Sequence, residues 1–391
     1  MCQQQQTLPH HAWLYRHTTL VMQELVENVE CYVPGGYHPT DIGDTIANGQ
    51  DSYTVAHKLG HGAYSTVWLV KRQRKHCVGQ QDPPPVSFHA LKIFRSNIGN
   101  MRGDNELHFL QRLGQVGKFG HPNIAMVEDS FTILGPNGQH QCLVSPVLGL
   151  TLHSISTKNA VAFLHSHGIC HSDLTLSHIA IAIPDIQSVS ESRLLELLGP
   201  IKDEPLRLRK GPVPRSKHGP KRVVAAASFS GPDLSSLTSI RVIDFGCAFL
   251  SSSPPPTLGC PVDFFPPELL FGYPATTHSD VWQLAALLYY IYANHYMFQS
   301  GLQIYTLLVR FIVQHYGPVP SNWRGKYWYN GEMSVVCFEE FFAEGASYLS
   351  AVQRDELTRL LRDMVTWEPS RRISAAEAHQ RLQSPALSSM Q

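Results

Sequence analysis

Two aspartates stand directly after apolar runs, one in His171-Ser172-Asp173-Leu174 and one in Val242-Ile243-Asp244-Phe245-Gly246. An aspartate in the first setting can accept or orient the hydroxyl proton of an incoming substrate, and one in the second can hold Mg²⁺ bridging phosphate oxygens. Upstream, Leu59-Gly60-His61-Gly62-Ala63-Tyr64-Ser65-Thr66-Val67 reads as strand, glycine turn and strand. Small residues at Gly60, Gly62 and Ser65 let backbone amides approach phosphates closely, while Val67 can cover an adenine ring. Lys92, in Ala90-Leu91-Lys92 on the next candidate strand, can pair with the α- and β-phosphates of a nucleotide. Such a lysine needs a carboxylate to hold it, and Glu106 on the following short helix is placed to do so. By itself Glu106 would read as an exposed helix charge. The order of the motifs along one chain gives it the partnered role.

The elements that must carry these residues change character along the chain. Residues 1 to 46 open with glutamines and hold Pro34, Gly35, Gly36 and Pro39, which predicts extended or loop structure. Strands are expected over Tyr53 to Leu59, Thr66 to Val70 and Ala90 to Phe94, the last after a loop with Pro83, Pro84 and Pro85. Leu107, Leu110 and Leu113 at spacings of three predict an amphipathic helix over Asp104 to Leu113. Ile124 to Ile133 and Gln141 to Val147 read as two further strands. Beyond Gly149 helical spacing dominates, over Ser279 to Ala293, Leu302 to His315 and Ala351 to Val365. A sheet-rich part therefore precedes a helix-rich part.

Residues 184 to 238 are polar and broken by prolines and glycines, so they read as an insertion rather than core. Arg207, Arg209, Lys210, Arg215, Lys217, Lys221 and Arg222 make it basic. A nuclear-targeting or anion-docking patch is one reading, and a solvated loop is the simpler one. Over the whole chain 31 basic and 31 acidic residues cancel, which argues against direct nucleic-acid binding or a charged membrane partner. Eight scattered cysteines without a Cys-x-x-Cys pair point to a reducing compartment rather than to zinc or a disulfide framework. No run approaches the roughly 18 apolar residues of a membrane span. The expectation is an intracellular protein of cytoplasm or nucleus, and a monomer.

Pro266-Pro267-Glu268, Asp280-Val281-Trp282 and Glu368-Pro369-Ser370-Arg371-Arg372 follow the two aspartates in order. With them the chain resembles a eukaryotic protein kinase from about residue 53 to 383. The resemblance implies a two-lobed α+β fold, with an antiparallel sheet in the N-lobe and helices in the C-lobe. It implies a buried ion pair between Glu268 and Arg372, and Asp280 bracing the backbone at His171. Leu110, Phe245 and His171 would stack as a spine, with Gly246 completing the metal motif. Pro146, Val147 and Leu148 would form the hinge that hydrogen-bonds adenine, beside Leu59, Val67 and Ala90. Tyr32-Val33-Pro34-Gly35-Gly36-Tyr37-His38-Pro39, Ile42-Gly43-Asp44 and Ser65-Thr66-Val67-Trp68 are similar to the SR-protein kinase subfamily. His-Ser-Asp-Leu-Thr and the insertion before Asp244 look like its divergent fungal branch. Arg/Ser-rich protein substrates follow from that likeness.

The chain departs from the family pattern in four places. His178 stands where the second Mg²⁺ ligand is an asparagine, and imidazole suits a hard cation poorly. Thr175 replaces a lysine that neutralises the γ-phosphate. Ser172 replaces the arginine that receives an activation-segment phosphate, so constitutive positioning is expected. The 21 residues from Leu150 to Cys170 must also replace two helices, although one helix of about 20 residues, roughly 30 Å, would use them all. The C-lobe therefore reads as truncated, with only Ala160 to His167 left of its central helix and apolar faces of the helix after Asp280 uncovered.

The expected organisation is an N-terminal extension (1–46), an N-lobe (47–145), a C-lobe (146–383) with the 184–238 insertion, and a short tail (384–391). The expected activity is transfer of the γ-phosphoryl group of ATP, with Mg²⁺, to a serine or threonine of a protein. Lys92 would hold phosphates, Glu106 hold Lys92, Asp173 orient the hydroxyl and Asp244 bind metal. The rival reading is a pseudokinase, a nucleotide-binding or interaction module with little turnover. A small-molecule phosphotransferase fits less well, because Glu268 and Arg372 match a protein-kinase activation segment and its anchor.

Overall fold

The computed structural model describes residues 15–16, 22, 25–74, 86–116, 121–151, 157–183, 186–208, 216–229, 239–298, 304–323 and 338–388. The loop read at Pro83 to Pro85, the start of the helix read from Leu302, and Arg209, Lys210 and Arg215 of the basic run lie outside them. The chain divides into two compact units. The first comprises Met1–Gln111, Met126–Gly149 and Ile183–Ser236, and the second Arg112–Ala125, Leu150–Ala182 and Leu237–Gln391.

The first unit is built on a six-stranded antiparallel sheet: Thr45–Ala47 (β1), Asp51–His61 (β2), Ser65–Arg74 (β3), Ser87–Phe94 (β4), Asp129–Gly135 (β5) and Gly138–Ser145 (β6). Their order across the sheet is β1-β2-β3-β4-β6-β5. Tyr53, Val55, Trp68, Val70, Leu91, Ile93, Cys142 and Val144 alternate along the strands and bury one face as a core cluster. The helix after β4 runs from Ile98 to Gly114 (α1), longer than the leucine spacing alone suggested. Ile124 forms only an isolated bridge to Val242, so the strand expected from Ile124 begins at Asp129 instead.

The expectation of a solvated loop over residues 184 to 238 does not hold for its described part. The sequence folds a helix over Glu191–Leu198, capped by Ser190, and a strand pair joining Asp203–Pro205 to Arg222–Val224. Leu194 and Leu198 pack with Leu69, Phe88 and Val147, while Val223 and Ala225 join Met22, Val26, Val29, Tyr32 and Tyr37 of the N-terminal extension. Prolines interrupt this stretch without removing its apolar spacing, and each leucine so buried contributes about 1.5–3 kcal/mol. The segment belongs to the first unit, not to the helical one in which it was placed.

Glu27 of the extension and Lys58 of β2 form a fully buried ion pair, and the Tyr32 hydroxyl donates to Glu27. Burial opposes ionisation of Glu27. The Lys58 ammonium and the hydrogen bonds from Lys58 and Tyr32 outweigh it and hold Glu27 below its ordinary value.

The second unit is mainly helical: Thr157–Ser166 (α2), Thr277–Ala293 (α3), Tyr305–Tyr316 (α4), Phe338–Gly345 (α5), Ala351–Met364 (α6) and Ala375–Arg381 (α7). Short strands Ile169–Cys170 (β7), Ile179–Ala182 (β8), Ile240–Val242 (β9) and Phe249–Leu250 (β10) pair as β7 with β10 and β8 with β9. Among the described residues between Leu150 and Cys170, α2 is the single helix, beginning at Thr157 rather than Ala160. The uncovered apolar faces expected on α3 are absent. Val281, Trp282, Leu284, Leu287, Leu288 and Tyr289 are all inaccessible to solvent. Phe298 stacks on Trp282 at 4.7 Å and Phe341 on Tyr289 at 5.6 Å, so aromatic residues C-terminal to α3 cover it. The C-terminal tail forms a short helix over Pro385–Ser388 that buries Leu387. Among the described residues no helix is long and apolar enough to cross a membrane.

Candidate active site

In the first unit, strand register collects the residues expected to meet a nucleotide. Gly60 pairs with Val67, Val67 with Lys92, and Lys92 with Leu143, so one rung of the sheet carries all four on a common face. A bulge between Lys58 and Gly60 brings the glycine turn into that register. Lys92 Nζ lies 2.6 Å from Glu106 Oε2 on α1, and it sits 4.9 Å above the ring of Phe94. The lysine is thus held in place by a carboxylate one element away. Ala90 and Val147 are buried, Pro146 and Leu148 are partly so, and Leu110 is buried on α1.

A Cβ built on Gly60 or Gly62 would meet no atom within 4 Å, so protein packing does not demand glycine there. What glycine supplies is close approach of another molecule to the backbone amides. That open cradle above a paired lysine fits nucleotide phosphates.

Three residues to which the sequence reading gave no role at the site hold the turn in shape. Tyr37 donates its hydroxyl to the Gly62 carbonyl at 2.7 Å. Arg95 donates to the Ala63 carbonyl at 3.2 Å and through its amide to Tyr64 at 2.8 Å. The Arg102 guanidinium lies 4.0 Å from the centre of the Tyr64 ring. Tyr37 lies 25 residues upstream of the glycine it contacts, and no periodicity in the chain announces that meeting.

Both aspartates lie in the second unit, and the Asp173 loop is fixed from α3. Asp280 accepts the amides of His171 at 2.7 Å and Ser172 at 2.8 Å, as the family resemblance implied. Gln283, one turn further along α3, accepts the Leu174 amide and donates to the Ser172 carbonyl, both at 3.0 Å. A signal for Gln283 existed: a polar residue three positions after Asp280 shares its helix face within an otherwise apolar run. His165 also donates to Asp280, at 3.0 Å. Ser172 and Asp244 both take left-handed backbone, φ 65° and 66°, at a cost of roughly 1–2 kcal/mol each; at Ser172 the α3 bracing sustains it, and at Asp244 the side chain accepts the Gly246 amide. Ser172, where an arginine was expected from the family pattern, donates its hydroxyl to the Cys247 carbonyl at 2.6 Å and so ties the Asp173 loop to the segment after Gly246.

His171 packs against Phe245 with ring centres 4.9 Å apart, and complete burial pushes its imidazole down to about 4. Its Nε2 lies 3.1 Å from the Ile243 carbonyl, and its Nδ1 accepts the Asp173 amide at 3.3 Å, a pattern only the neutral ring can make. Glu268 and Arg372 meet in full burial with Nη2 to Oε2 at 2.7 Å.

His178 lies between the two aspartates. Its Nδ1 is 3.6 Å from Asp173 Oδ2, and its Nε2 is 3.6 Å from Asp244 Oδ2. The same Nδ1 donates to the Asp173 carbonyl at 2.7 Å, with the Thr175 hydroxyl at 3.2 Å. Asp244 offers carboxylate oxygen, which suits Mg²⁺, whereas His178 offers a nitrogen that does not.

Residues 234–383 match the family model described as protein kinase domain. A serine/threonine protein kinase of Aspergillus fumigatus is 26% identical across 90% of this chain and 88% of its own length. SRSF protein kinase 3 of Homo sapiens is 36% identical across 32% of this chain and 20% of its own. A crystallised kinase domain with 16% identity superposes with a TM-score of 0.57, covering 90% of this chain and 98% of that one, a likeness of fold alone. Motifs, fold and relatives agree on a two-lobed α+β protein serine/threonine kinase that resembles the eukaryotic protein kinases and, among them, the SR-protein kinases, a resemblance that implies ATP as phosphoryl donor and protein as acceptor.

Proposed function

We propose that this kinase transfers the γ-phosphoryl group by positioning and charge neutralisation, with Lys92 on the phosphates, Glu106 holding Lys92, and Asp173 orienting the acceptor hydroxyl. Asp244 would hold the divalent ion that neutralises charge between the phosphates. The observation that supports the reading is the 2.6 Å pair between Lys92 Nζ and Glu106 Oε2. Ser172 supports a segment held without a phosphate switch, since its hydroxyl already fastens the Asp173 loop to the Cys247 carbonyl.

Substrates rich in arginine and serine are proposed from the likeness to SR-protein kinases. The residues placed at the hinge, Pro146 to Leu148, are proposed to meet adenine. A second reading is favoured by one feature: His178 beside both aspartates, together with Thr175, suits a pseudokinase that binds nucleotide with little turnover.

The two readings separate when purified protein is given radiolabelled ATP, Mg²⁺ or Mn²⁺, and an arginine-serine peptide, beside an Asp244→Ala control. Label on the peptide well above that control supports the kinase. Bound nucleotide with no transfer above the control leaves the pseudokinase.

A further inference from the structure

The ring of His178 is oriented by its own hydrogen bond. A carbonyl oxygen only accepts, so the 2.7 Å contact with the Asp173 carbonyl places a proton on Nδ1. In the neutral imidazole the lone pair then lies on Nε2, the atom 3.6 Å from Asp244 Oδ2. Donors held about 2.1 Å from a single ion stand roughly 3.0–3.5 Å apart, so a small movement of either side chain brings both onto one metal. The second nitrogen fastened to a backbone carbonyl is also the arrangement that fixes ligating imidazoles in metal sites.

Among the described residues no group of three His, Cys, Asp or Glu side chains forms a protein cage for a metal. An ion held by His178 and Asp244 would complete its shell with nucleotide oxygens and water, so the inference rests on the nucleotide-binding reading above. Nitrogen with carboxylate oxygen is a poor donor set for Mg²⁺ and an acceptable one for first-row transition ions.

We propose that the second metal position of this kinase is a mixed nitrogen–oxygen site, His178 Nε2 with Asp244 carboxylate, that selects Mn²⁺ over Mg²⁺. His178 is thereby a specificity-determining residue for the metal, not simply a lost ligand.

The test is pulsed electron paramagnetic resonance of Mn²⁺ bound to the full chain with a non-hydrolysable ATP analogue, beside Mg²⁺ competition. The expected spectrum shows coupling to an imidazole nitrogen that disappears in His178→Asn, and the Mn²⁺ to Mg²⁺ affinity ratio falls at least about tenfold in that variant. Analogue binding by His178→Asn, measured separately, shows that the variant is folded. Nucleotide and Mn²⁺ bound without nitrogen coupling, or an unchanged ratio in His178→Asn, overturns the mixed site while leaving the kinase reading intact; it would mean that the imidazole acts as a cation beside the aspartates. No analogue binding by the wild-type protein overturns both.

Discussion

The Arg372 guanidinium meets the Glu268 carboxylate as a two-pronged pair, Nη1 to Oε1 at 3.0 Å and Nη2 to Oε2 at 2.7 Å, with both side chains inaccessible to solvent. The remaining hydrogens of Arg372 go to the carbonyls of Thr366, Trp367 and His278, and Ser279 donates to Glu268 at 2.6 Å. Every group is satisfied, so removing one partner strands the other charge. Arg372→Ala is expected to cost about 3–5 kcal/mol of stability, and Arg372→Lys less but still measurably, since a point charge cannot make the fork. Urea unfolding of the two variants beside the parent checks the order.

Lys92 and Glu106 form a largely buried pair, so losing either partner should cost some stability, and phosphate placement more. Lys92→Met is expected to lower phosphoryl transfer by about 10²–10³-fold, and Glu106→Gln by less, each with a smaller effect on melting temperature than on transfer. Steady-state peptide phosphorylation together with thermal melts would read both; equal losses of stability and activity would contradict the assigned roles.

Tyr37 touches the glycine turn through one hydrogen bond. Deleting it in Tyr37→Phe keeps the ring and its packing but frees the Gly62 carbonyl, a change of about 0.5–1.5 kcal/mol. The expected result is a KM for ATP raised roughly two- to tenfold, from the same energy, with kcat changed less. An unaltered KM would show that the turn holds its shape without the extension.

Acid should weaken the first unit through Glu27. Its carboxyl ionises below the ordinary 4.5 in the folded protein, so the folded state binds fewer protons than the unfolded one. The stabilisation is fully present above about pH 4.5 and is lost as pH falls through the folded value. Glu27→Gln is expected to cost about 3–5 kcal/mol at pH 7, since Lys58 is left buried and unpaired. Denaturant melts should also show a shallower decline in stability below pH 4.5 than the parent shows.

Lys92, Asp173, Asp244, Glu268 and Arg372 were readable from the chain alone because each sits in a short motif whose backbone role is local: a strand after a turn, or a loop after an apolar run. The helices over Thr277–Ala293 and Ala351–Met364 were readable from apolar spacing for the same reason. Residues 184 to 238 misled because prolines and charges dominate their composition, while a few leucines and valines at the right intervals decide where they bury.

Sequence by itself determined the resemblance to protein kinases, the order of the motifs and the departures at Ser172, Thr175 and His178, since these depend on residue type at fixed short spacings. Tertiary structure alone decided that Tyr37 reaches Gly62, that aromatic residues cover α3, and that His178 stands 3.6 Å from each aspartate. These are distances between residues far apart in the chain or across a folded loop. Backbone direction and packing set them, and neither leaves a period in the sequence.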